Sequence, residues 1–442
     1  MGRGGRRSSH PGAQAIRRAG WTNCRHAVAV LSLVLAALVA VGAGGCASAA
    51  PKGTGGSGGA AGPPPATVAA LATRLTQAVQ SGDRGSFDAL FAYTDEVSVD
   101  STPTDAPSPV PTAAPGRRDL LWSNLRALAS VEFQPGPDAD TLRVGWTVGL
   151  QDVAPAWQLV GGVVCDASAC GLRNLAPVTG SPAPLWAVQA ITVSTDPAGV
   201  AVVGGAGDTP WLAAARQAVA AVAGADLSGL DDPSATAPKL VVEVPDTFTA
   251  FQAIVGQDSA DFTETGAFTW VEDSGAPAPG STPSPGGGWQ APGAAVRVVV
   301  NPSATTGLDA SQQAALLAHE AVHVATIGHP VATGQRWVSE GMAEIVALGL
   351  DAGMAAQSTG AAAAACTSAG LAPPTDASFG GGDAISQQTS YAVAWQLLTL
   401  LRGAQSPAQA EQSIVALWDD APSSAGVLAD LAAWSAAWCA AR

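Results

Sequence analysis

The apolar and polar positions of the chain form two successive patterns after an apolar stretch near the N-terminus. In the first pattern, apolar residues recur every three or four positions, which is typical of helices that bury one face. The predicted helices are 66–80, 86–93 and 118–128. Short runs rich in β-branched and aromatic residues follow and predict strands. These are 129–133, 141–151, 156–165 and 171–176. We therefore expect three helices followed by an antiparallel sheet.

The second pattern begins near residue 186 and combines strands with longer helices. A hairpin is predicted at 189–203, because two apolar runs flank an Asp-Pro-Ala-Gly turn. Helices are predicted at 211–223 and 248–255, with a strand between them at 239–244. This part of the chain therefore needs a sheet of its own.

A loop, a strand and a long helix come next. The Gly-, Pro- and Ser-rich stretch at 256–293 predicts a loop that one apolar run interrupts at 268–271. A strand is predicted at 295–302. Asp309 and Gln312 then fit the N-cap and the partner residue of a capping box, so we expect the long helix to begin there.

That helix carries residues with metal chemistry. His319, Glu320 and His323 form the pattern H-E-x-x-H. Residues four apart lie on the same helical face, so both imidazoles can reach one metal ion, and Glu320 can contact a water on that ion. Zinc enzymes use two neutral nitrogen ligands, an open position for water and a carboxylate that accepts a proton. Of the five histidines, His10 and His26 lie in the N-terminal stretch, so three remain for the rest of the chain.

Two downstream residues compete for the position of the third ligand. His329 lies six residues after His323, which is the spacing of the metzincin pattern H-E-x-x-H-x-x-G-x-x-H. That pattern needs a glycine where this chain has Thr326, because the backbone must turn sharply there. If the helix continues, His329 faces away from the metal.

The second candidate ligand is Glu340, in the segment Trp-Val-Ser-Glu-Gly-Met-Ala-Glu. Glu344 lies one helical turn beyond Glu340, where its carboxylate can accept a hydrogen bond from a ligand imidazole such as that of His319. Acids four apart are also common on solvated helix faces, but here the neighbours are apolar. We therefore expect Glu340 to be the third ligand.

These segments resemble the gluzincin peptidases of the peptidase MA-like group, which are exported bacterial lipoproteins. The matching segments are 298–302, 319–326, 337–344 and 391–395. The resemblance extends from about residue 186 to the end of the chain, and it departs from the usual pattern at Glu344, where an Asp is frequent. It implies a zinc metallopeptidase that binds one Zn²⁺ through His319, His323 and Glu340, with Glu320 as the general base and a peptide or protein as the substrate.

The resemblance also suggests two further roles, each with an alternative. Tyr391 is a candidate donor to the oxyanion that develops during hydrolysis, or else a packing residue. The strand at 295–302 is a candidate edge strand to which an extended substrate adds by main-chain hydrogen bonds, or else an ordinary sheet strand.

The first part of the chain, residues 66–184, resembles the NTF2-like cone that is found in many secreted bacterial proteins. No histidine or paired carboxylate stands out in it, so we expect a binding or packing role. The complete expectation is an α+β protein, with this NTF2-like domain followed at 186–442 by a mostly helical zinc peptidase domain with a small sheet. The alternative function is a non-catalytic envelope lipoprotein, with a structural metal or with a ligand bound in the NTF2-like domain.

The N-terminus indicates export. Residues 1–45 combine arginines with a short apolar run, as in a secretory signal peptide, and the sequence Ala-Gly-Gly-Cys ending at Cys46 resembles a lipobox. The alternative is plain cleavage near residues 47–50. Residues 46–65 are Gly-, Ala-, Ser- and Pro-rich and predict a flexible tether. We expect a lipoprotein anchored through Cys46 to the outer face of the cell membrane.

Charge and cysteines agree with this picture. The net charge is −15, and the signal segment holds six arginines and no acid, so the remainder carries −21. Such an acidic chain disfavours nucleic-acid partners, and we expect a monomer. Cys165 with Cys170, and Cys366 with Cys439, predict disulfides in an oxidising compartment.

Overall fold

The computed structural model describes residues 66–92, 115–150, 153, 155–166, 169–178, 181–225, 227, 229–230, 239–255, 265–272, 295–380 and 383–442. The predicted signal segment, the tether with Cys46 and most of the predicted loop at 256–293 lie outside these residues. Within the described part, none of the helices has both the length and the apolar character to cross a membrane. The architecture is mixed α and β, with two sheets.

The first part of the chain has three helices followed by four strands. The helices are α1 (Val68–Ser81), α2 (Arg84–Ala92) and α3 (Pro115–Ala127), and the strands are β1 (Ser130–Pro135), β2 (Thr141–Thr147), β3 (Ala156–Cys165) and β4 (Cys170–Pro177). The strands form an antiparallel sheet in the order β1-β2-β3-β4. Thr67 caps the start of α1, and Gly82 ends it in the left-handed conformation that favours glycine.

The second sheet is built from five strands of the second part. The elements in this region are α4 (Leu185–Val188), β5 (Thr192–Asp196), β6 (Val200–Gly204), α5 (Thr209–Gly224), β7 (Leu240–Val244), α6 (Phe248–Val255), β8 (Ala267–Glu272) and β9 (Ala295–Val300). The strand order is β5-β6-β7-β9-β8. The three central strands are parallel, and the two outer strands are antiparallel to their neighbours.

The rest of the chain is helical. Its helices are α7 (Pro302–Thr305), α8 (Ala310–Thr326), α9 (Arg336–Leu348), α10 (Ala352–Ala364), α11 (Ala384–Ala404), α12 (Pro407–Trp418) and α13 (Ser424–Ala440), with a short 3₁₀ helix at Asp376–Phe379. Helix α8 begins at the predicted capping box, because the Asp309 side chain accepts backbone N–H groups and the Gln312 side chain accepts the N–H of Asp309.

The two parts of the chain share the second sheet. Side chains alternate between the two faces of a strand. On β9, Val298 and Val300 belong to the core formed with α5, α8, α9 and α11, whereas Ala295 and Val299 belong to the core of the first part. The sheet is therefore covered on one face by helices of the second part, and on the other face by the first part of the chain together with α4 and α6.

A buried ion pair lies on the face that meets the first part. Arg297 of β9 donates to Glu243 of β7, and its guanidinium lies over the ring of Trp146 of β2 at 5.2 Å. Burial raises the pKa of Glu243, and Arg297 opposes this shift. The pair therefore neutralises two charges where the two sheets meet.

Two disulfides connect the cysteine pairs that the sequence suggested. Cys165 and Cys170 are register partners at the ends of β3 and β4. Cys366 follows α10 and is joined to Cys439 in α13, 73 residues further on. The second bond ties the C-terminal helix to the helical core.

Candidate metal centre

Helix α8 presents His319, Glu320 and His323 from the interior of the helical core. His319 is 1% exposed and Glu320 is fully buried, whereas the side chain of His323 is 19% exposed and lies nearer the surface. The two imidazoles lie on the same helix face, as residues four apart do, with their rings tilted by 67° and 3.1 Å between their Nε2 atoms.

Helix α9 brings Glu340 to the same point. Its Oε2 lies 3.2 Å from Nε2 of His319 and 3.3 Å from Nε2 of His323. A tetrahedral zinc ion with bonds of about 2.0–2.1 Å separates its ligand atoms by about 3.3 Å, so these three atoms have the spacing of one face of such a site. Within the described residues, they are the one group of three potential ligands that could hold a metal ion.

Both imidazoles have a second partner that fixes their orientation. Nδ1 of His319 lies 3.1 Å from Oε1 of Glu344, and Nδ1 of His323 lies 3.4 Å from the hydroxyl of Ser339. When Nδ1 carries the hydrogen and donates it to Glu344, Nε2 keeps the lone pair that a metal ion would accept. This is the contact that the sequence suggested for Glu344.

The carboxylates of the centre stabilise positive charge on their neighbours. Burial opposes a charged imidazole, but hydrogen bonds to Glu340 and Glu344 outweigh this effect and raise the pKa of His319 to about 10. Burial likewise opposes the charge of Glu340, yet the nearby His323, His319 and Arg336 hold its pKa well below the usual range. The centre is therefore electrostatically suited to a cation.

The two carboxylate oxygens of Glu320 differ in their hydrogen bonding. Its Oε2 accepts a hydrogen bond of 2.7 Å from the hydroxyl of Thr269 on β8. Its Oε1 is buried and has no hydrogen-bond partner in the described part of the chain. Burial raises the pKa of Glu320, so this carboxylate has an increased affinity for a proton. A buried acceptor without a partner, on the residue that follows the candidate ligand His319 in α8, is chemically suited to receive a proton from a water.

Tyr391 reaches the centre from α11. Its ring lies 6.0 Å from that of His319 and 5.1 Å from that of Phe379, and it is 1% exposed. Burial raises its pKa well above the usual value, so the phenol stays neutral. The ring packs against the candidate ligand His319, and the proposed role of its hydroxyl towards an oxyanion stays a prediction.

His329 lies outside the metal group. Its Nε2 is 2.7 Å from Oδ1 of Asp419, and its carbonyl accepts a hydrogen bond from the indole of Trp418. The reason is local, because α8 continues through Thr326, the position at which the metzincin pattern needs a glycine to turn the backbone. The metzincin arrangement is therefore not the one that the chain adopts.

Of the two interpretations of the strand at 295–302, the ordinary sheet strand is confirmed and the substrate-binding edge strand is wrong. Strand β9 is paired on both sides, with β7 and with β8. The outer strand is β8, which is the apolar run expected only as an interruption of the 256–293 loop. Its six residues pair along the full length of β9, a long-range contact that the surrounding Gly- and Pro-rich sequence did not indicate.

Two residues of the centre escaped the sequence analysis. Arg336 donates from Nε to Oε1 of Glu340 at 3.0 Å, and its position four residues before Glu340 on the same helix is a signal that could have identified it. Thr269 had no such signal, because it lies on a strand far from Glu320 in the sequence.

Comparisons of the chain with protein-family models, with curated proteins and with solved structures found no match. The geometry and chemistry of the centre are therefore the basis on which a function is assigned.

Proposed function

We propose that this protein is an exported, membrane-tethered zinc peptidase, with a gluzincin metal centre held by His319, His323 and Glu340. The observation that carries the proposal is the triangle of three ligand atoms, together with the buried and unpartnered Oε1 of Glu320, which follows His319 in the same helix. A zinc ion held there supplies a Lewis acid that polarises a peptide carbonyl and makes a water more acidic.

The chain's own residues would perform the proton transfers. Glu320 accepts the proton of the attacking water at Oε1 and donates it to the leaving amine. Thr269 holds the other oxygen of this carboxylate, so that Oε1 faces the reacting water. Glu344 fixes the ring of His319 in the tautomer that leaves Nε2 free to bind the metal.

The outer strand β8 is the proposed binding edge for an extended substrate. Its neighbour in the described sheet is β9 on one side, and the other side has no strand beside it in that part of the chain. Main-chain groups of such a strand can pair with an extended peptide. Thr269 lies on this strand and contacts Glu320, so a peptide added there lies next to the general base.

We propose that the first part of the chain is an NTF2-like domain. Three helices precede a four-stranded antiparallel sheet, in the order that the resemblance implies. The proposed role of this domain is to cover the outer face of the second sheet, since the two share a core. The other face is covered by helices that include α8 and α9, and this arrangement is evidence for a zincin-like peptidase domain.

A metal assay combined with a hydrolysis assay tests the proposal. We expect the purified full chain to contain about one zinc ion, Glu340→Ala to lose it, and His329→Ala to retain it as the matched histidine control. We expect Glu320→Gln to keep the metal but to cleave an unstructured peptide mixture at least about a hundredfold more slowly. If the wild type and Glu320→Gln both contain metal and neither cleaves the peptides, the non-catalytic alternative is favoured. A wild type without metal would refute the proposal.

A further inference from the structure

Arg336 contacts the candidate ligand Glu340 but has no role in the proposed proton transfers. Its Nε donates to Oε1 of Glu340, while Oε2 of the same carboxylate is the atom that faces both imidazoles. The two oxygens of Glu340 thus have different partners. This inference rests on the proposed function, because it concerns how Glu340 binds the metal.

Arg336 is itself held in place from two sides. The carboxylate of Asp376 accepts the backbone N–H of Arg336 at 3.1 Å and that of Gly334 at 2.8 Å, which fixes the first turn of α9. The guanidinium lies over the ring of Phe379 at 5.6 Å, and Phe379 is fully buried. The arginine therefore has a defined position relative to Glu340.

The burial of Glu340 distinguishes this pair from an ordinary surface pair on a helix. The side chain of Glu340 is 4% exposed and that of Arg336 is 26% exposed. Solvent screens the interaction at the carboxylate weakly, and a charge-assisted hydrogen bond of this kind is strong and directional. An exposed pair four residues apart lacks both properties.

We propose that Arg336 is a positioning residue that keeps Glu340 a one-oxygen metal ligand. A carboxylate can bind a metal through one oxygen or through both, and a second oxygen would occupy the coordination position that a hydrolytic zinc site leaves open for water. By holding Oε1, Arg336 keeps that position free.

The test compares Arg336→Gln with Arg402→Gln, the same change at an exposed arginine near the end of α11. Zinc affinity is measured by chelator competition, and the coordination number is measured from the visible absorption of the cobalt-substituted protein. We expect Arg336→Gln to bind zinc about 10–100-fold more weakly. We also expect its cobalt absorption to weaken, as four-coordinate cobalt becomes five-coordinate, and Arg402→Gln to match the wild type in both.

Additional readouts separate positioning from a structural role. A structural defect lowers the unfolding midpoint of the metal-free protein and leaves the cobalt spectrum of the folded fraction unchanged, whereas loss of positioning changes that spectrum and lowers kcat with little change in KM. Arg336→Lys keeps the charge but not the planar donor, so we expect it to restore part of the zinc affinity and not the spectrum. A normal cobalt spectrum in Arg336→Gln overturns the inference while leaving the proposed peptidase intact, and a wild type that binds neither metal overturns both.

Discussion

Replacing Thr269 by valine is the sharpest test of how the general base is held. Its hydroxyl donates to Oε2 of Glu320 at 2.7 Å, and the carboxylate is fully buried. A hydrogen bond to a charged group contributes about 1.5–3 kcal/mol, and about 1.4 kcal/mol corresponds to a tenfold change in rate. We therefore expect Thr269→Val to lower kcat about 10–150-fold if this bond aligns Glu320 in the transition state.

The assay is steady-state cleavage of a peptide that the wild type hydrolyses, together with zinc content. Valine preserves the branched shape of threonine and leaves the three candidate ligands in place, so zinc content should not change. Thr265→Val is the control, because Thr265 is a buried threonine just before β8 whose hydroxyl, within the described part of the chain, does not bond to Glu320. Equal kcat in the two variants would refute the positioning role of Thr269, and loss of zinc in Thr269→Val would show that β8 supports the ligands instead.

Glu344→Gln is expected to weaken zinc binding about tenfold, because it removes the negative charge beside Nδ1 of His319; unchanged affinity in chelator competition would contradict the orienting role. Burial raises the pKa of Asp208 to about 6 from its ordinary value of 3.8, so the folded state loses stability as the pH rises through this interval. Because solvent screens a half-buried carboxyl, Asp208→Asn should gain only about 1–2 kcal/mol at pH 7 and little at pH 4; urea unfolding at both pH values measures this, and a gain independent of pH would refute it. Replacing Cys366 and Cys439 by serine removes a bond between residues 73 apart, and loop-closure entropy predicts a loss of up to about 4 kcal/mol in the free energy of unfolding. An unchanged denaturation midpoint would show that the C-terminal helix docks without the bond.

The sequence pattern predicted a feature correctly wherever that feature depends on a single helix or strand. The spacing of His319 and His323 places both rings on one helix face whatever surrounds them, and the capping box at Asp309 fixes where that helix begins. Glu344 was found in the same way, from its distance along α9. The helices and strands of the first part also follow their periodicity closely, because each buries one face.

Contacts between distant segments could not be obtained in this way. The position of β8 outside β9 depends on which strands pair, and neither strand carries that information alone. Arg297 lies in an otherwise apolar strand, and its partner Glu243 comes from a different strand. That one face of the second sheet belongs to the core of the first part is likewise a property of the assembled fold.

The charges of the centre explain why these residues belong together. Glu320, Glu340 and Glu344 are all buried, and Arg336 is the one arginine that contacts any of them within the described residues, so the balance of charge also depends on the imidazoles or on a bound cation. Buried charge of this size is costly unless it is neutralised. A protonated His319, whose pKa is raised to about 10, supplies one positive charge, but the Nε2 atoms of His319 and His323 lie only 3.1 Å apart, where N–H groups on both would repel each other. One divalent cation would supply two charges and accept both nitrogen lone pairs, so the charge of the centre is compatible with the metal that we propose.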